Sequence, residues 1–222
     1  MKHALTILIL IISTISFVAQ TIQLNKSALR PVSVEISEAT YKGKQGVRIV
    51  GTRDTNHFDE MAIVQHSEFR NGIIELEMSG DRLMGSDTTY RGFVGVAFRV
   101  KEADRFQYEC FYLRPTNGRA NDQLRRNHST QYISSPGYPW QKLRKENPGV
   151  YESYVDMIAG EWTKVKIIVK DQYAALYVNN ALQPCLIVND LKQNMVEGPV
   201  ALWIGVGTEA YFRDLKITRD KN

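Results

Sequence analysis

Two charged residues interrupt two adjacent apolar runs. In "RGFVGVAFRVKEADRFQYECFYLRP", residues 91–115, Arg99 stands near the end of the first run and Glu109 in the middle of the second. A carboxyl group beside a guanidinium can do acid–base chemistry. The arginine favours the ionised carboxylate, which suits a proton acceptor or an electrostatic stabiliser better than a proton donor. A second acidic set lies upstream in "IELEMSGD", where Glu75 and Glu77 are two residues apart. On a strand both point to one side, with Cα atoms about 6.5–7 Å apart. Their side chains can then reach the roughly 5–9 Å separations at which carboxyl pairs cleave glycosidic bonds. A solvated sheet face explains Glu75 and Glu77 more simply. The acid–base expectation therefore falls on Glu109, with Glu77 assisting.

The elements that must position these groups follow from a hydrophobic period of two. A turn at 101–105 sets Val100 opposite Phe106. One face of the hairpin then collects Val94, Val96, Phe98, Val100, Phe106, Tyr108, Cys110 and Tyr112, and reads as core. The other collects Phe93, Gly95, Ala97, Arg99, Gln107, Glu109, Phe111 and Leu113. In this register Arg99 and Glu109 are diagonal neighbours across the strands. A one-residue slip would bury both. Gly95 and Ala97 form a small-residue floor that lets a ligand approach the backbone. Arg99, Gln107 and Glu109 can bind hydroxyls, and Phe93 and Phe111 offer flat apolar walls, a combination that suits a sugar. The alternative is a face covered by the protein's own chain, which would keep Phe93, Phe111 and Leu113 out of water.

Eleven runs of this kind, from "VSVEIS" at residue 32 to "AYFRDLKITR" at 210–219, are separated by Gly, Asn and Asp turns. They predict an all-β, two-sheet antiparallel sandwich. Between Pro115 and Tyr151 no clear strand appears, apart from a short candidate at "TQYIS". A connection of that length is either functional or disordered. Tyr132, Tyr138 and Trp140 argue for order, so residues 115–150 are expected to lie over one face as a long loop. Arg114 and the loop residues Arg119, Arg125, Arg126, Lys142, Arg144 and Lys145 make this region basic. With Tyr132, Trp140 and Tyr151 it suits an acidic glycan, uronic-acid-containing or sulfated. Trp203 alternates with Val200, Leu202, Ile204 and Val206 and so points away from them, toward the ligand face or the underside of the loop. The binding expectation names Arg91, Arg99, Gln107, Arg114, Tyr132, Trp140, Tyr151 and Trp203.

The chain has 222 residues, 28 Lys and Arg against 24 Asp and Glu, and a net charge of +4. Lys2, the apolar run Leu5 to Val18 and the small Ala19 read as an export signal over residues 1–19, too short for a comfortable membrane span. The remainder, 20–222, suits a single sandwich domain. The expected location is periplasmic or extracellular. The charge is too mild to argue for nucleic acid. No second apolar run argues for membrane insertion after signal removal. Export permits a disulfide between Cys110 and Cys185, but both sit inside strand patterns, where a free thiol packs as a small hydrophobe. His57, His66 and His128 lack metal-ligand spacing. No phosphate loop or nucleophile elbow is present. Calcium occurs in many lectin-like sandwiches, but no Asp/Asn cluster demands it here, so no cofactor is expected.

The runs "FRNGIIELEMSG", "YRGFVGVAFRV", "FQYECFYLRP", "EWTKVKIIVKDQYAALYVNN" and "GPVALWIGVGTEAYFRDLKI" resemble the concanavalin A-like lectin/glucanase superfamily. In pattern they are most similar to its exported 3-keto-disaccharide hydrolase domains. The resemblance covers most of residues 30–219. It implies a jelly-roll sandwich that binds sugars on its concave sheet, with Arg99 matching the arginine of the "F-R" strand and Glu109 the glutamate of the "Y-E" strand. The chain departs from the pattern at 91–95, at Phe111 where a Gln often stands, and in its 115–150 insertion. Glu75, Glu77 and Asp81 are spaced E-x-E-x-x-x-D rather than the E-x-D-x-x-E of glucanases. The resulting expectation is an exported carbohydrate-active protein that binds an oligo- or polysaccharide and, as an enzyme, hydrolyses it in the manner of a glycoside hydrolase. A non-catalytic carbohydrate-binding module is one alternative. A structural or partner-binding sandwich, its face filled by its own loop, is another.

Overall fold

A computed structural model describes residues 16–52, 59–194 and 196–221. In chain order the first strands are β1 (Ser16–Ile22), β2 (Leu29–Val32), β3 (Val34–Tyr41), β4 (Lys44–Gly51), β5 (Glu60–Val64), β6 (Gly72–Arg82), β7 (Val94–Lys101) and β8 (Gln107–Leu113). The predicted loop contains α1 (Pro115–Gly118), α2 (Gln123–Asn127), β9 (Thr130–Ser135) and α3 (Trp140–Glu146), with β10 (Glu152–Ser153) just after it. Then come β11 (Thr163–Lys170), β12 (Tyr173–Val178), β13 (Leu186–Val188), β14 (Ala201–Ile204) and β15 (Thr208–Lys221). They form two antiparallel sheets packed as a jelly-roll sandwich. One has the order β13-β12-β11-β6-β15-β4-β3, with β1 also on β15. The other has the order β10-β9-β8-β7-β14-β5-β2.

The eight-stranded sheet shows the alternation of a half-exposed antiparallel layer. Ile74, Leu76 and Met78 of β6 face the core, as do Val165, Ile167 and Val169 of β11. Each such side chain contributes roughly 1.5–3 kcal/mol on burial. The seven-stranded sheet differs. β5 ("EMAIV") is buried at every position, and β7 ("VGVAFRVK") at every position but its last. Strands buried on both faces read as continuous apolar runs, so the centre of this sheet's outer face is closed. That centre is a second apolar cluster including Met61, Ile63, Ala97, Cys110, Tyr112 and Ala201.

The hairpin β7–β8 pairs one residue away from the expected register. Val94 lies opposite Leu113, Val96 opposite Phe111 and Phe98 opposite Glu109. The expected slip penalty is therefore incurred, and Glu109 and Arg99 are both 0 % exposed. Packing explains the choice. This register sends Phe98, Phe111 and Leu113 into the space between the sheets and turns Tyr108, Cys110 and Tyr112 outward. The tyrosine hydroxyls find polar partners outside that the core would deny them. Arg99 marks a β-bulge, with φ 54° and a register shift between Phe98 and Lys101. Such a bulge re-aims a side chain at the end of a strand.

Other expectations are corrected or sharpened. "VSVEIS" is split at Ser33 (φ 52°), so Val32 ends a strand of one sheet and Val34 begins a strand of the other. The segment 115–150 contains three short helices around β9, which spans the strand candidate at "TQYIS". Gly95 makes room for the chain itself: a Cβ there would lie 2.6 Å from Tyr112 Cβ. Cys110 and Cys185 are both free thiols. The signal expected at residues 1–19 falls outside the described residues as far as residue 15. From Ser16 the chain is in β1, and Gln20, Thr21 and Ile22 pair with Ile217, Lys216 and Leu215. Among the described residues no helix is long and apolar enough to cross a membrane.

Candidate functional site

Seven of the ten residues expected to form one site divide into two groups on opposite sides of the seven-stranded sheet. The inner group holds Glu109, Tyr132, Tyr151 and Arg99. Glu109 Oε2 accepts the Tyr132 hydroxyl at 2.5 Å, and its Oε1 accepts the Gln193 backbone N–H at 2.7 Å. The Tyr132 oxygen in turn accepts the Lys192 backbone N–H at 2.9 Å. Tyr151 packs on Tyr132 and donates to Asp190 Oδ2 at 2.7 Å. These bonds fasten the β13–β14 connection across the gap between the sheets. Burial pushes the Glu109 carboxyl above its ordinary value, although Tyr132, the Gln193 amide and Arg99 all pull it back. Burial likewise raises the Tyr132 hydroxyl.

Arg99 is fixed separately. Its Nε donates to the Arg70 carbonyl at 3.0 Å, and its Nη2 donates to Asn71 Oδ1 at 3.1 Å and to the Asp171 carbonyl at 2.8 Å. No direct ion pair joins it to Glu109 among the described residues. Burial depresses the Arg99 guanidinium and the Glu109 charge opposes that shift. The expectation that Arg99 and Glu109 floor the ligand face is thus corrected: both point inward, with no exposed surface. Phe111, expected as a wall, is in the core as well.

Glu77 belongs to neither group. It lies on the outer face of the other sheet, bonded to Lys44 Nζ at 2.8 Å and 3.8 Å from Arg213 Nε. Glu75 is 3.7 Å from Lys216 Nζ. This is the outer sheet face of the simpler account, and the structure adds that its carboxylates are ion-paired. Gln107 sits at the turn end of β8, opposite Lys101. Arg91 lies in the connection before β7, its guanidinium donating to the carbonyls of Thr88, Thr89 and Tyr90.

The outer group gathers at the other end of β8. Arg114 follows β8 and shares the outer side with Tyr112, and Tyr112 lies opposite Gln131 of β9 and Gly95 of β7. Arg114 Nη2 donates to the Tyr112 hydroxyl at 2.8 Å and to Gln131 Oε1 at 3.1 Å. The Tyr112 ring is 5.1 Å from Phe93 and 5.0 Å from Trp203. Trp203 points outward as its alternation predicts, and its Nε1 donates to the Tyr108 hydroxyl at 3.3 Å. Tyr108 donates to Asp59 Oδ1 at 2.7 Å. Burial raises the Tyr112 hydroxyl to about 12, against the pull of Arg114. Trp140, first residue of α3, places its ring between two guanidiniums, 5.3 Å from Arg114 and 4.6 Å from Arg144.

Beside this cluster opens a cleft of about 650 Å³, lined by residues that include His128, Arg144, Glu152 and Tyr154. Glu152 pairs with Gln131 across β9–β10 and is 7 % exposed. Arg144 grips it as a fork, with Nε 3.0 Å from each oxygen and Nη2 2.6 Å from Oε2. His128 Nδ1 is 2.8 Å from Glu152 Oε2. Burial holds the His128 imidazole below its ordinary value, with Arg144 and Arg114 adding to the depression and Glu152 opposing it. The arrangement offers apolar rings, donor groups, and an imidazole that stays neutral to lower pH than usual. Among the described residues no His, Cys, Asp or Glu group could hold a metal ion.

Of the expected binding residues, Arg114, Trp140 and Trp203 thus meet at one place. Arg144 was named only among the basic loop residues, and Tyr112, Gln131, His128 and Glu152 were missed as site residues. Tyr112 and Arg114 are two apart, and a strand continued through "YLR" would have put them on one face. Gln131 was visible in "TQYIS". His128 and Glu152 are brought together only by the β9–β10 pairing, which no local pattern announces.

The fold is a concanavalin A-like jelly-roll sandwich. The chain belongs to the family described as the 3-keto-alpha-glucoside-1,2-lyase-like domain, which residues 34–218 match. Among solved structures it is similar to a carbohydrate-binding module from Bacillus subtilis, at 11 % identity over 86 % of this chain and 95 % of that one, TM-score 0.58. It is also similar to a candidate glycosyl hydrolase from Parabacteroides distasonis, at 12 % identity over 90 % and 91 %, TM-score 0.52. A Bacillus subtilis protein with a galectin-like fold shares 12 % identity over 88 % and 91 %, TM-score 0.52. At these identities the likeness is one of fold. No curated protein matches the chain.

Proposed function

We propose that this protein binds a glycan at the Arg114 end of the seven-stranded sheet's outer face. One observation carries the reading: the rings of Phe93, Tyr112 and Trp140 lie around the Arg114 guanidinium, with Trp203 packed on Tyr112, next to an open cleft. Rings match the apolar faces of sugars, and donors fix their hydroxyls. Family membership and the carbohydrate-binding relative support the same ligand class. The export-type segment at residues 1–19 supports a place outside the cytoplasm, where polysaccharides are met.

A second reading, turnover, is favoured by His128 at 2.8 Å from Glu152 in the cleft wall. The family's description names a 1,2-elimination on a 3-keto-glucoside. A carbonyl at C3 acidifies the C2 proton. The imidazole takes that proton, the C2–H electrons form the C1–C2 double bond, and the C1–O bond breaks with its pair leaving on oxygen. A positioned base of this sort contributes roughly 10²–10⁴-fold.

Both readings are tested by one comparison. The wild type, Trp140→Ala and His128→Asn are titrated with a glycan panel and assayed on a chromogenic 3-keto-glucoside. Trp140→Ala should weaken glycan binding about tenfold. His128→Asn should keep binding and lower turnover about 100-fold. The pH profile should rise through an apparent pKa below the ordinary histidine value, because only the neutral imidazole accepts the proton. Binding without turnover leaves a recognition module. No binding at all removes the glycan reading and leaves a sandwich whose closed face is structural.

A further inference from the structure

Arg114 is a buried cation without a counter-charge. It is 4 % exposed. Its two hydrogen bonds, to the Tyr112 hydroxyl and Gln131 Oε1, engage Nη2 alone, and both partners are neutral. Its Nε is buried with no hydrogen-bond partner. The adjacent carboxylate, Glu152, is already gripped by Arg144 and approached by His128. No ion pair joins Arg114 to a carboxylate among the described residues.

Rings hold the guanidinium in place. Its Cζ is 5.1 Å from the Phe93 centroid and 5.3 Å from those of Tyr112 and Trp140. Such contacts favour a cation but do not replace a lost anion. An unpaired buried charge is strongly destabilising, and a structural role is served as well by an apolar residue of similar volume. A fixed guanidinium fork with free donors is the usual receptor for a carboxylate.

We propose that Arg114 receives the carboxylate of a uronic acid residue in the bound glycan. The proposal rests on the glycan reading above and names its ligand class. The acid enters past Trp140, the half-buried ring shared with Arg144, and completes the pairing that the fold leaves open at Nε. Neutral parts of the same glycan lie along Phe93 and Trp203. Selectivity for acidic over neutral sugars then comes from one side chain, not from the basic surface in general.

The test uses the full chain and matched ligands: oligo-galacturonate, oligo-mannuronate and a hyaluronan tetrasaccharide, each beside its methyl ester. Tryptophan emission reports binding, because Trp140 touches the guanidinium. Wild type should bind at least one free acid about tenfold more tightly than its ester. Arg114→Met should abolish that preference, so that free acid and ester bind equally. Arg119→Met, which removes an exposed partner of Asp156, should leave the preference intact. Equal binding of acid and ester by the wild type, or a preference that survives in Arg114→Met, overturns the proposal. So does a preference lost equally in Arg119→Met, which would assign it to bulk surface charge. If Arg114→Met fails to fold, the acid–ester comparison on the wild type decides. Neutral glycans bound as tightly as acidic ones sink this proposal alone; absence of any glycan binding sinks the glycan reading as well.

Discussion

Glu109→Leu should destabilise the sandwich by about 3 kcal/mol, lowering the thermal midpoint by about 10 °C. Leucine fills a similar volume, so cavity formation is minor. The loss comes from two donors that the carboxylate now satisfies, the Tyr132 hydroxyl and the Gln193 N–H. Both would be left unpaired in the interior, and through them the β13–β14 connection loses its hold on β8 and β9. Glu109→Gln keeps an acceptor and should cost less than about 1 kcal/mol. The pH dependence has a definite sign. Burial raises the Glu109 carboxyl in the folded state above its unfolded value. Between those two values the folded chain binds more protons, so this group's contribution weakens as pH rises through the folded value. Glu109→Gln removes the titration and should gain on the wild type as pH rises through that window. Urea unfolding across pH 4–8 measures both effects. An unchanged Glu109→Leu midpoint would contradict the account of the interior network.

Arg99→Met should cost a similar amount, about 3 kcal/mol, for a different reason. Three acceptors lose their donor: the Arg70 carbonyl, Asn71 Oδ1 and the Asp171 carbonyl. They lie where β6 begins and where β11 turns into β12, so Arg99 joins the β7 bulge of one sheet to the turns of the other. Asn71 retains its bond from the Asp171 N–H at 2.9 Å, which limits the loss. Removing this cation also removes a favourable charge near Glu109. The double variant Arg99→Met/Glu109→Leu should therefore lose less than the sum of the singles, by about 1 kcal/mol. Additive losses would show that the two charges do not sense each other. Neither substitution touches the Arg114 cluster, so glycan affinity of the folded protein should be unchanged.

These two residues show where sequence reasoning reached and where it stopped. All eleven alternating runs form strands, because each needs only a period of two and a turn on either side. The outward direction of Trp203 followed from its neighbours on one short strand. The pairing of β7 with β8 did not follow, since both faces of each strand are apolar enough to be core. A bulge at Arg99 and the preference of tyrosine hydroxyls for the outer side decided it. That single step moved Glu109 from a ligand face to the interior. The candidate strand at "TQYIS" forms β9, but its flanking helical turns gave no sign that it pairs with β8 in the seven-stranded sheet. With the β8–β9–β10 pairing hidden, the convergence of Arg114, Gln131, Glu152 and His128 was hidden too.

The central claim is the location of the ligand. Amide hydrogen exchange with and without a bound glycan tests it most directly. Binding at the Arg114 end should slow exchange at residues 112–116, 128–133 and 140–153, and leave residues 73–78 and 164–168 of the opposite sheet unchanged. Protection centred instead on the Glu75–Glu77 surface, with none around Gln131 and Trp140, would contradict the account.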